Sequence, residues 1–154
     1  MKKILSLWIA IILLITVTSI WMKPINNDSE KIGWIAVKKL LKERFNCPII
    51  ALGREYSPLN LSKVKKFLKQ DKTNEHEYRK YIWDCKHFAL MLLYNISKEW
   101  DDPAVGILIY LKDNRFPAHA INFFIDESKF IYFIEPMTDN IFWKLSGKPM
   151  LVII

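Results

Sequence analysis

The chain has 154 residues, which leaves room for one domain of ordinary size, and its 51% hydrophobic content can fill a core and excludes a disordered chain. It contains only four glycines and no glycine-rich phosphate-binding pattern, so a nucleotide-binding loop of that kind is not expected. The two cysteines, Cys47 and Cys85, are too few for a disulfide framework or a structural zinc site.

Positive charge is spread unevenly along the chain. The formal net charge is +7, but three of the basic residues, Lys2, Lys3 and Lys23, flank an N-terminal apolar run. Most others fall in residues 31–44 and 63–80, where they are typical of the solvated faces of helices. We therefore expect no nucleic-acid partner. A basic protein that binds nucleic acid or anionic lipid headgroups is an alternative that charge alone leaves open.

The first predicted element is the apolar run from Ile4 to Met22, nineteen residues without a charge. As a helix it would cross about 30 Å of hydrocarbon, and a signal peptide with a long apolar core has the same appearance. Val17 and Ser19 are small enough for a cleavage site, but the missing Ala-x-Ala pattern favours an uncleaved anchor. Residues 1–23 are therefore predicted to be a transmembrane anchor or a signal peptide, with the membrane as partner through residues 4–22. The lysines before the run stay inside, so domain 24–154 lies outside the cytoplasm, membrane-anchored or secreted.

Two amphipathic helices are predicted next. Ser29 is a candidate N-cap for a helix that runs to about Arg44. The expected apolar stripe of this helix consists of Ile32, Ile35, Leu40 and Leu41. Ser62 is a candidate N-cap for a second helix over residues 63–70, and residues 48–52 between the two helices read as a short extended segment.

A third predicted helix has the most regular pattern in the chain. Asp84 is a good N-cap, and apolar side chains recur behind it at spacings of three and four over about fifteen residues. These side chains are Cys85, Ala89, Leu92, Leu93, Ile96 and Trp100. Pro103 follows shortly afterwards and ends the helix. Cys85 is therefore expected in the first turn of a buried helix.

Five apolar segments follow this helix and are separated by turn residues, which is typical of strands. They cover residues 105–111, 118–125, 130–135, 141–144 and 150–153. Helices first and consecutive strands afterwards predict an α+β fold in which the Cys85 helix packs on an antiparallel sheet, preceded by the N-terminal apolar helix.

Cys85, His119 and Glu135 have the residue types and the order of a nucleophile, its base and an orienting acceptor. A helix N-terminus carries partial positive charge, which lowers the pKa of a thiol placed there. His119 lies on a strand after the helix, and Glu135 ends the next strand. Because side chains alternate along a strand, the two can meet only if the hairpin joins residues of like parity. A three-residue loop over 126–128 or 127–129 satisfies this condition.

Three short motifs support the same assignment. They are Trp83-Asp-Cys-Lys-His-Phe-Ala89, Ala118-His-Ala-Ile-Asn122 and Glu135-Pro-x-Thr-Asp-x-Ile141. In this order they resemble the papain-like C-terminal domain of the mushroom agglutinin family and its bacterial and phage relatives. The resemblance covers about residues 56–144. It implies a papain-like fold in which Cys85 is the nucleophile, His119 the base and Glu135 the third member.

The chain departs from the family pattern in two ways. Family members often carry further aspartates around the cysteine and bind calcium there, whereas Lys86 and His87 stand here beside a single Asp84. Calcium wants several oxygen ligands, so we expect no metal and no cofactor. The backbone amide of Cys85 can donate one hydrogen bond to an oxyanion. No glutamine stands shortly before Cys85, and the sequence identifies no second donor.

Together these residues predict a cysteine hydrolase of the peptidase or amidase type that acts on a peptide or amide substrate outside the membrane. The main alternative is a non-catalytic, membrane-anchored binding module on the same fold. Cys85 could instead be an inert core thiol or form a disulfide with Cys47. His119 could be a core histidine and Glu135 a solvated residue at a strand end. Asn122, on the opposite strand face from His119, is predicted to be a buried structural amide that bonds to a loop.

Overall fold

The computed structural model describes residues 30–154. The predicted anchor or signal segment at 1–23 and the candidate cap Ser29 lie outside the described residues. Between residues 30 and 154, none of the helices combines the length and the apolar character needed to cross a membrane.

Three α-helices and eight strands make up the described part of the chain. The helices are α1 (Trp34–Phe45), α2 (Leu61–Leu68) and α3 (Cys85–Glu99), with a 3-10 turn at Thr73–Glu75. The strands are β1 (Ile32–Gly33), β2 (Ile49–Ile50), β3 (Glu55–Tyr56), β4 (Val105–Lys112), β5 (His119–Ile125), β6 (Ile131–Glu135), β7 (Asn140–Phe142) and β8 (Gly147–Ile153). The predicted α+β class is confirmed.

Six of the strands form one sheet in the order β2-β8-β4-β5-β6-β7, and β1 and β3 form a separate two-stranded ribbon. The four strands from β4 to β7 are an antiparallel meander, and β8 returns to the other side of β4. β2 pairs with β8 in parallel, so the sheet is mixed and the predicted purely antiparallel sheet is wrong. The parallel partner comes from a distant part of the chain, and local periodicity carries no information about such pairing.

Helices cover both faces of the main sheet. On one face, Phe45 of α1 packs edge-on against Phe123 and Phe133, with ring centroids 6.0 and 5.9 Å apart. On the other face, α2 and α3 pack in a second cluster that includes Phe124 and Ile134. Burial on both faces explains why residues 120–125 of β5 are all buried instead of alternating between core and solvent.

The first helix begins later than predicted, and its apolar stripe agrees with the prediction except at Ile35. β1 pairs with β3 and takes up two residues that were expected to be helical. The Trp34 N–H then donates to the Arg54 carbonyl, and the helix begins at Trp34. The buried side chains are Val37, Leu41 and Phe45. Leu41 was predicted, and Ile32 and Leu40 pack against the same core. Ile35 was also assigned to the apolar stripe but is exposed.

The second helix begins at Leu61, two residues earlier than predicted, because its N-cap is Asn60 and not Ser62. The Asn60 Oδ1 atom accepts the backbone N–H groups of Ser62 and Lys63 at 3.0 and 3.3 Å. Ser62 is thus inside the helix.

The third helix confirms the prediction at its start and in its length. Asp84 is the N-cap, and α3 runs for 15 residues from Cys85. Its buried residues are Phe88, Ala89, Leu92 and Ile96. Cys85 itself is half-buried, which keeps the thiol within reach of solvent.

The hairpin between β5 and β6 has one of the two predicted loops. The Asp126 N–H donates to the Phe130 carbonyl at 2.9 Å, so residues 127–129 form a three-residue loop. Lys129 has a φ of 63°, the left-handed residue that commonly closes such a loop. The loop fixes the register of the two strands that carry His119 and Glu135.

Candidate active site

The register of the hairpin brings His119 and Glu135 together. Phe123 pairs with Phe133, so residues of like parity face each other across β5 and β6. Continuing this register places Glu135 on the same face as His119 and one diagonal step away, within reach of a long side chain. The His119 Nε2 and Glu135 Oε2 atoms are 2.7 Å apart.

The Cys85 thiol lies close enough to the same imidazole for the two groups to shift each other's pKa. Because Glu135 occupies Nε2, Nδ1 is the ring nitrogen left for the thiol. The structure thus brings together all three predicted site residues, with the imidazole between the thiol and the carboxylate.

Charge at the site is shifted toward a thiolate–imidazolium pair. The hydrogen bond to His119 is the largest influence on the Cys85 pKa and lowers it, aided by a bond to the Ala120 backbone and opposed by burial and the Asp84 charge. Burial is the largest influence on the His119 pKa and lowers it. The hydrogen bonds and charges of Cys85 and Glu135 together outweigh burial and raise the His119 pKa to about 9. A thiolate is the nucleophilic form of cysteine.

The end of β5 is the place where thiol and imidazole can meet. Cys85 packs with Ala89, Ile107 and Ala120 on the face of the sheet that α3 covers. His119 has the parity of Ile121, which packs on the face that α1 covers. His119 is the first residue of β5. Its ring therefore lies where β5 begins, at the end of the strand, and the N-terminus of α3 can approach it there.

Asp84 is held by its neighbours rather than left as a free negative charge beside the thiol. Lys86 Nζ lies 2.8 Å from Asp84 Oδ2, and His87 Nδ1 lies 3.0 Å from Asp84 Oδ1. The hydrogen bond from Lys86 is the main reason that the Asp84 pKa is lowered. The positive charge of Lys86 reduces the penalty that Asp84 imposes on a Cys85 thiolate.

His87 also closes the start of the helix. Its Nδ1 atom lies 3.2 Å from the Asp84 backbone nitrogen, and its ring stacks on Trp83 with centroids 5.5 Å apart. The His76 ring contacts the same Trp83, with ring centroids 4.9 Å apart. His76 is exposed, whereas His87 is half-buried and helps to cap α3.

Tyr110 is a site residue that sequence reasoning missed. It pairs directly with His119 across β4 and β5, and the two ring centroids are 5.8 Å apart in an edge-on arrangement. Burial and then the Glu135 charge raise the Tyr110 pKa, so the phenol stays neutral. Its ring forms an apolar wall beside the imidazole. Only the β4–β5 register identifies it, and the sequence of β4 alone gives no signal.

The disulfide that the sequence left open for Cys85 is not observed. Cys47 and Cys85 are both free. Cys47 packs against the α1 face of the core, whereas Cys85 packs in a different cluster beside Ala120. The disulfide alternative is therefore contradicted.

A calcium site of the kind implied by the family resemblance does not fit the residues at the start of α3. Both carboxylate oxygens of Asp84 are already engaged by nitrogen atoms of Lys86 and His87, at 2.8 and 3.0 Å. Calcium needs several oxygen ligands, and neither of these neighbours supplies a side-chain oxygen. Among residues 30–154, no group of three or more His, Cys, Asp or Glu side chains is arranged to hold a metal ion.

Asn122 is buried, as predicted, but its partners differ from the prediction. Its Nδ2 donates to the Ala89 carbonyl at 2.9 Å, and the Gly106 carbonyl lies 3.4 Å away. Asn122 thus ties β5 to the helix that carries Cys85 and to β4, not to a loop. Its role is to hold β5, which begins with His119, in register with α3, which begins with Cys85.

A cavity of about 640 Å³ lies near the other end of α3, with Lys66, Asn95, Lys98 and Trp100 among its lining residues. Asn95 is ten residues after Cys85 in sequence, which is about 15 Å along a helix. The thiol does not line this cavity.

No protein-family model matches the sequence, and a sequence comparison with curated proteins also finds no match. Solved structures do match the fold. The PSL1a–E64 complex has a TM-score of 0.69 at 16% identity, and the match covers 80% of this chain and 51% of that one. A lectin of Polyporus squamosus, bound to a sialylated influenza-binding epitope, has a TM-score of 0.68 at 16% identity over 80% of this chain and 49% of that one. The chain thus spans about half the length of these structures and shares the papain-like, agglutinin-related fold of PSL1a.

Proposed function

We propose that the domain is a cysteine hydrolase of the peptidase or amidase type, with Cys85 as nucleophile, His119 as base and acid, and Glu135 as orienting carboxylate. The observation that carries this proposal is one imidazole that interacts with the Cys85 thiol, lowering its pKa, and lies 2.7 Å from the Glu135 carboxylate. The lowered Cys85 pKa and the His119 pKa of about 9 favour the ion pair that such a reaction needs.

In the first half of the reaction, the Cys85 thiolate attacks the carbonyl carbon of an amide, and a carbon–sulfur bond forms. Cys85 is the first residue of α3, so its N–H has no carbonyl one turn earlier in the helix and is free to donate to the oxyanion. The His119 imidazolium gives its proton to the leaving nitrogen as the carbon–nitrogen bond breaks. The products are a free amine and a thioester on Cys85.

In the second half, the neutral imidazole of His119 takes a proton from water, and the oxygen attacks the thioester carbon. The carbon–sulfur bond breaks, the carboxylic acid leaves, and the thiolate–imidazolium pair is restored. Glu135 keeps Nε2 protonated throughout, so the nitrogen that faces the thiol is the one that exchanges the proton.

The solved structures lend support of a limited kind. PSL1a, whose fold this chain shares, is seen in complex with E64. At 16% identity this likeness concerns the fold, so the proposed thiol chemistry rests on the residues of this chain alone. If the predicted apolar segment at 4–22 acts as an anchor or a signal, the substrate would be a peptide or amide outside the cytoplasm.

The full chain should be incubated with a mixture of peptides, quenched in acid and analysed by mass spectrometry. We expect new peptide termini and a transient acyl adduct on Cys85, both abolished when the chain is first alkylated with iodoacetamide. If peptides and simple amides remain intact and Cys85 is alkylated like an ordinary thiol with a pKa near 8.5, the domain is a binding module and not an enzyme.

A further inference from the structure

Two segments with exposed apolar side chains lie just before Cys85 and His119 in the sequence. The first is the Tyr81 turn (residues 80–82), in which Tyr81 is 78% and Ile82 is 64% exposed. The second is the Phe116 loop (residues 113–118), in which Phe116 is 80% exposed. Ile82 stands three residues before Cys85, and Phe116 stands three residues before His119.

The backbone conformation of the Tyr81 turn does not favour a tyrosine at its tip. Arg79 and Trp83 exchange backbone hydrogen bonds of 2.9 and 2.7 Å, which close the turn. Tyr81 at its tip has a φ of 68°, a conformation in which glycine or asparagine costs least. A tyrosine here is the more expensive choice, and its exposed ring adds nothing to the core. The side chain is therefore suited to contact something outside the fold.

Chain length keeps both apolar segments close to the thiol. Three residues span at most about 11 Å, so the Ile82 and Phe116 backbones lie within that distance of Cys85 and His119 respectively. A bound peptide in an extended conformation advances about 3.3 Å per residue. Its side chains within about three residues of the scissile amide can therefore reach these segments.

Positive charge accompanies the exposed rings. Lys80 Nζ lies 5.0 Å from the centroid of the Tyr81 ring, and Arg115 directly precedes Phe116. Arg79, Lys80 and Arg115 are all exposed. Glu77, Asp84 and Asp113 also lie near these segments in sequence, but Asp84 is paired with Lys86, and Asp113 accepts a hydrogen bond from Ser146. The cations therefore outnumber the acids without such partners, which favours carboxylates over ammonium groups in a ligand.

We infer that Tyr81, Ile82 and Phe116 are specificity residues, and that the substrate is an acidic polypeptide with a large apolar side chain within about three residues of the scissile bond. This inference rests on the proposed function. Apolar contact with the rings orients the chain over the thiol, and the surrounding cations select its charge.

The test compares kcat/KM of the full chain for matched peptides that carry phenylalanine or serine at each position near one scissile bond, with aspartate or lysine flanks. We expect phenylalanine and aspartate to be preferred, each by about tenfold. Tyr81→Asn, which suits the left-handed conformation, combined with Phe116→Ser should abolish the phenylalanine preference mainly through KM. A matched control is Tyr94→Gln, at a position that is 60% exposed on α3. An unchanged preference in the double variant would overturn the inference.

A second measurement separates this inference from the proposed function. Cys85 is alkylated with iodoacetamide and with its N-benzyl analogue, and the ratio of the two rates is compared with the ratio at Cys47. We expect the benzyl reagent to be favoured about tenfold at Cys85 alone, and the double variant to lose this advantage. If no peptide is cleaved but the benzyl advantage is found, the hydrolase proposal fails and the apolar binding site stands. Equal ratios at the two cysteines contradict the binding site, whatever the activity.

Discussion

Cys47 and Cys85 are the same residue type and are both half-buried, free thiols, yet their environments act in opposite directions. Cys47 follows the C-terminal end of α1, and burial raises the pKa of its thiol. Cys85 begins α3, and the hydrogen bond from His119 lowers the pKa of its thiol despite burial. A helix N-terminus favours a thiolate, and a C-terminus disfavours it.

The comparison shows that exposure does not decide which thiol has the lowered pKa. Burial opposes the thiolate at both positions. What distinguishes Cys85 is an imidazole from a strand that begins 34 residues later, itself paired with Glu135. Each prediction below removes one part of this difference.

Replacement of the two cysteines should give the largest contrast. Cys85→Ala should lower kcat/KM by about 10⁴-fold or more, because no other group can form the acyl-enzyme. Cys47→Ala should leave kcat/KM within about twofold, since its side chain is remote from the imidazole. Hydrolysis rates of the two purified variants test this, with circular dichroism as the control for folding. Comparable losses in both variants would show that the thiols do not differ as described.

His119→Ala should make Cys85 resemble Cys47. Without its largest stabilising partner, the Cys85 thiol should have a pKa above its ordinary value, because burial remains. Hydrolysis should fall by about 10²- to 10⁴-fold. The rate of iodoacetamide modification against pH measures the pKa directly, and Cys47 in the same sample is the internal reference. A Cys85 pKa that does not rise would mean that His119 is not its partner.

The pH profile should separate alkylation from hydrolysis. Both should rise with pH through the lowered Cys85 pKa, since both need the thiolate. Only hydrolysis should fall again as pH passes about 9, where His119 loses the proton that the leaving amine requires. Glu135→Gln removes a charge that stabilises the imidazolium, so the alkaline limb should move down by about one to three pH units. An alkaline limb that stays in place would contradict the role of Glu135.

The smallest effect is expected at Tyr110, whose ring lies beside the His119 imidazole. Tyr110→Phe keeps the ring and should change kcat by less than about twofold. Tyr110→Leu loses the ring contact, worth about 0.5–1.5 kcal/mol, so kcat should fall by about two- to tenfold. Stopped-flow hydrolysis and thermal unfolding of both variants distinguish a local effect on His119 from general destabilisation.

Parts of the fold followed from local patterns. The spacing of Ala89, Leu92 and Ile96 behind Asp84 predicts α3 correctly, because capping and helical periodicity are local. For His119 and Glu135 to meet, the alternation rule required an odd β5–β6 loop or a bulge, and the observed three-residue loop over 127–129 agrees. The start of α1 was wrong because Ile32 pairs with Tyr56 in β1 and β3, a contact that no local pattern encodes.

By itself, the sequence determined the residue types of the candidate site and their order, since a capped helix and an odd hairpin are settled within a few residues of chain. It equally determined that Lys86 and His87 stand where calcium ligands would be needed. Only the tertiary structure decided that β2 enters the sheet in parallel, that both sheet faces are covered, and that Tyr110 lies beside His119. These features depend on which distant segments share one core, and burial of apolar surface, which has no direction along the chain, selects among them only when the whole domain is assembled.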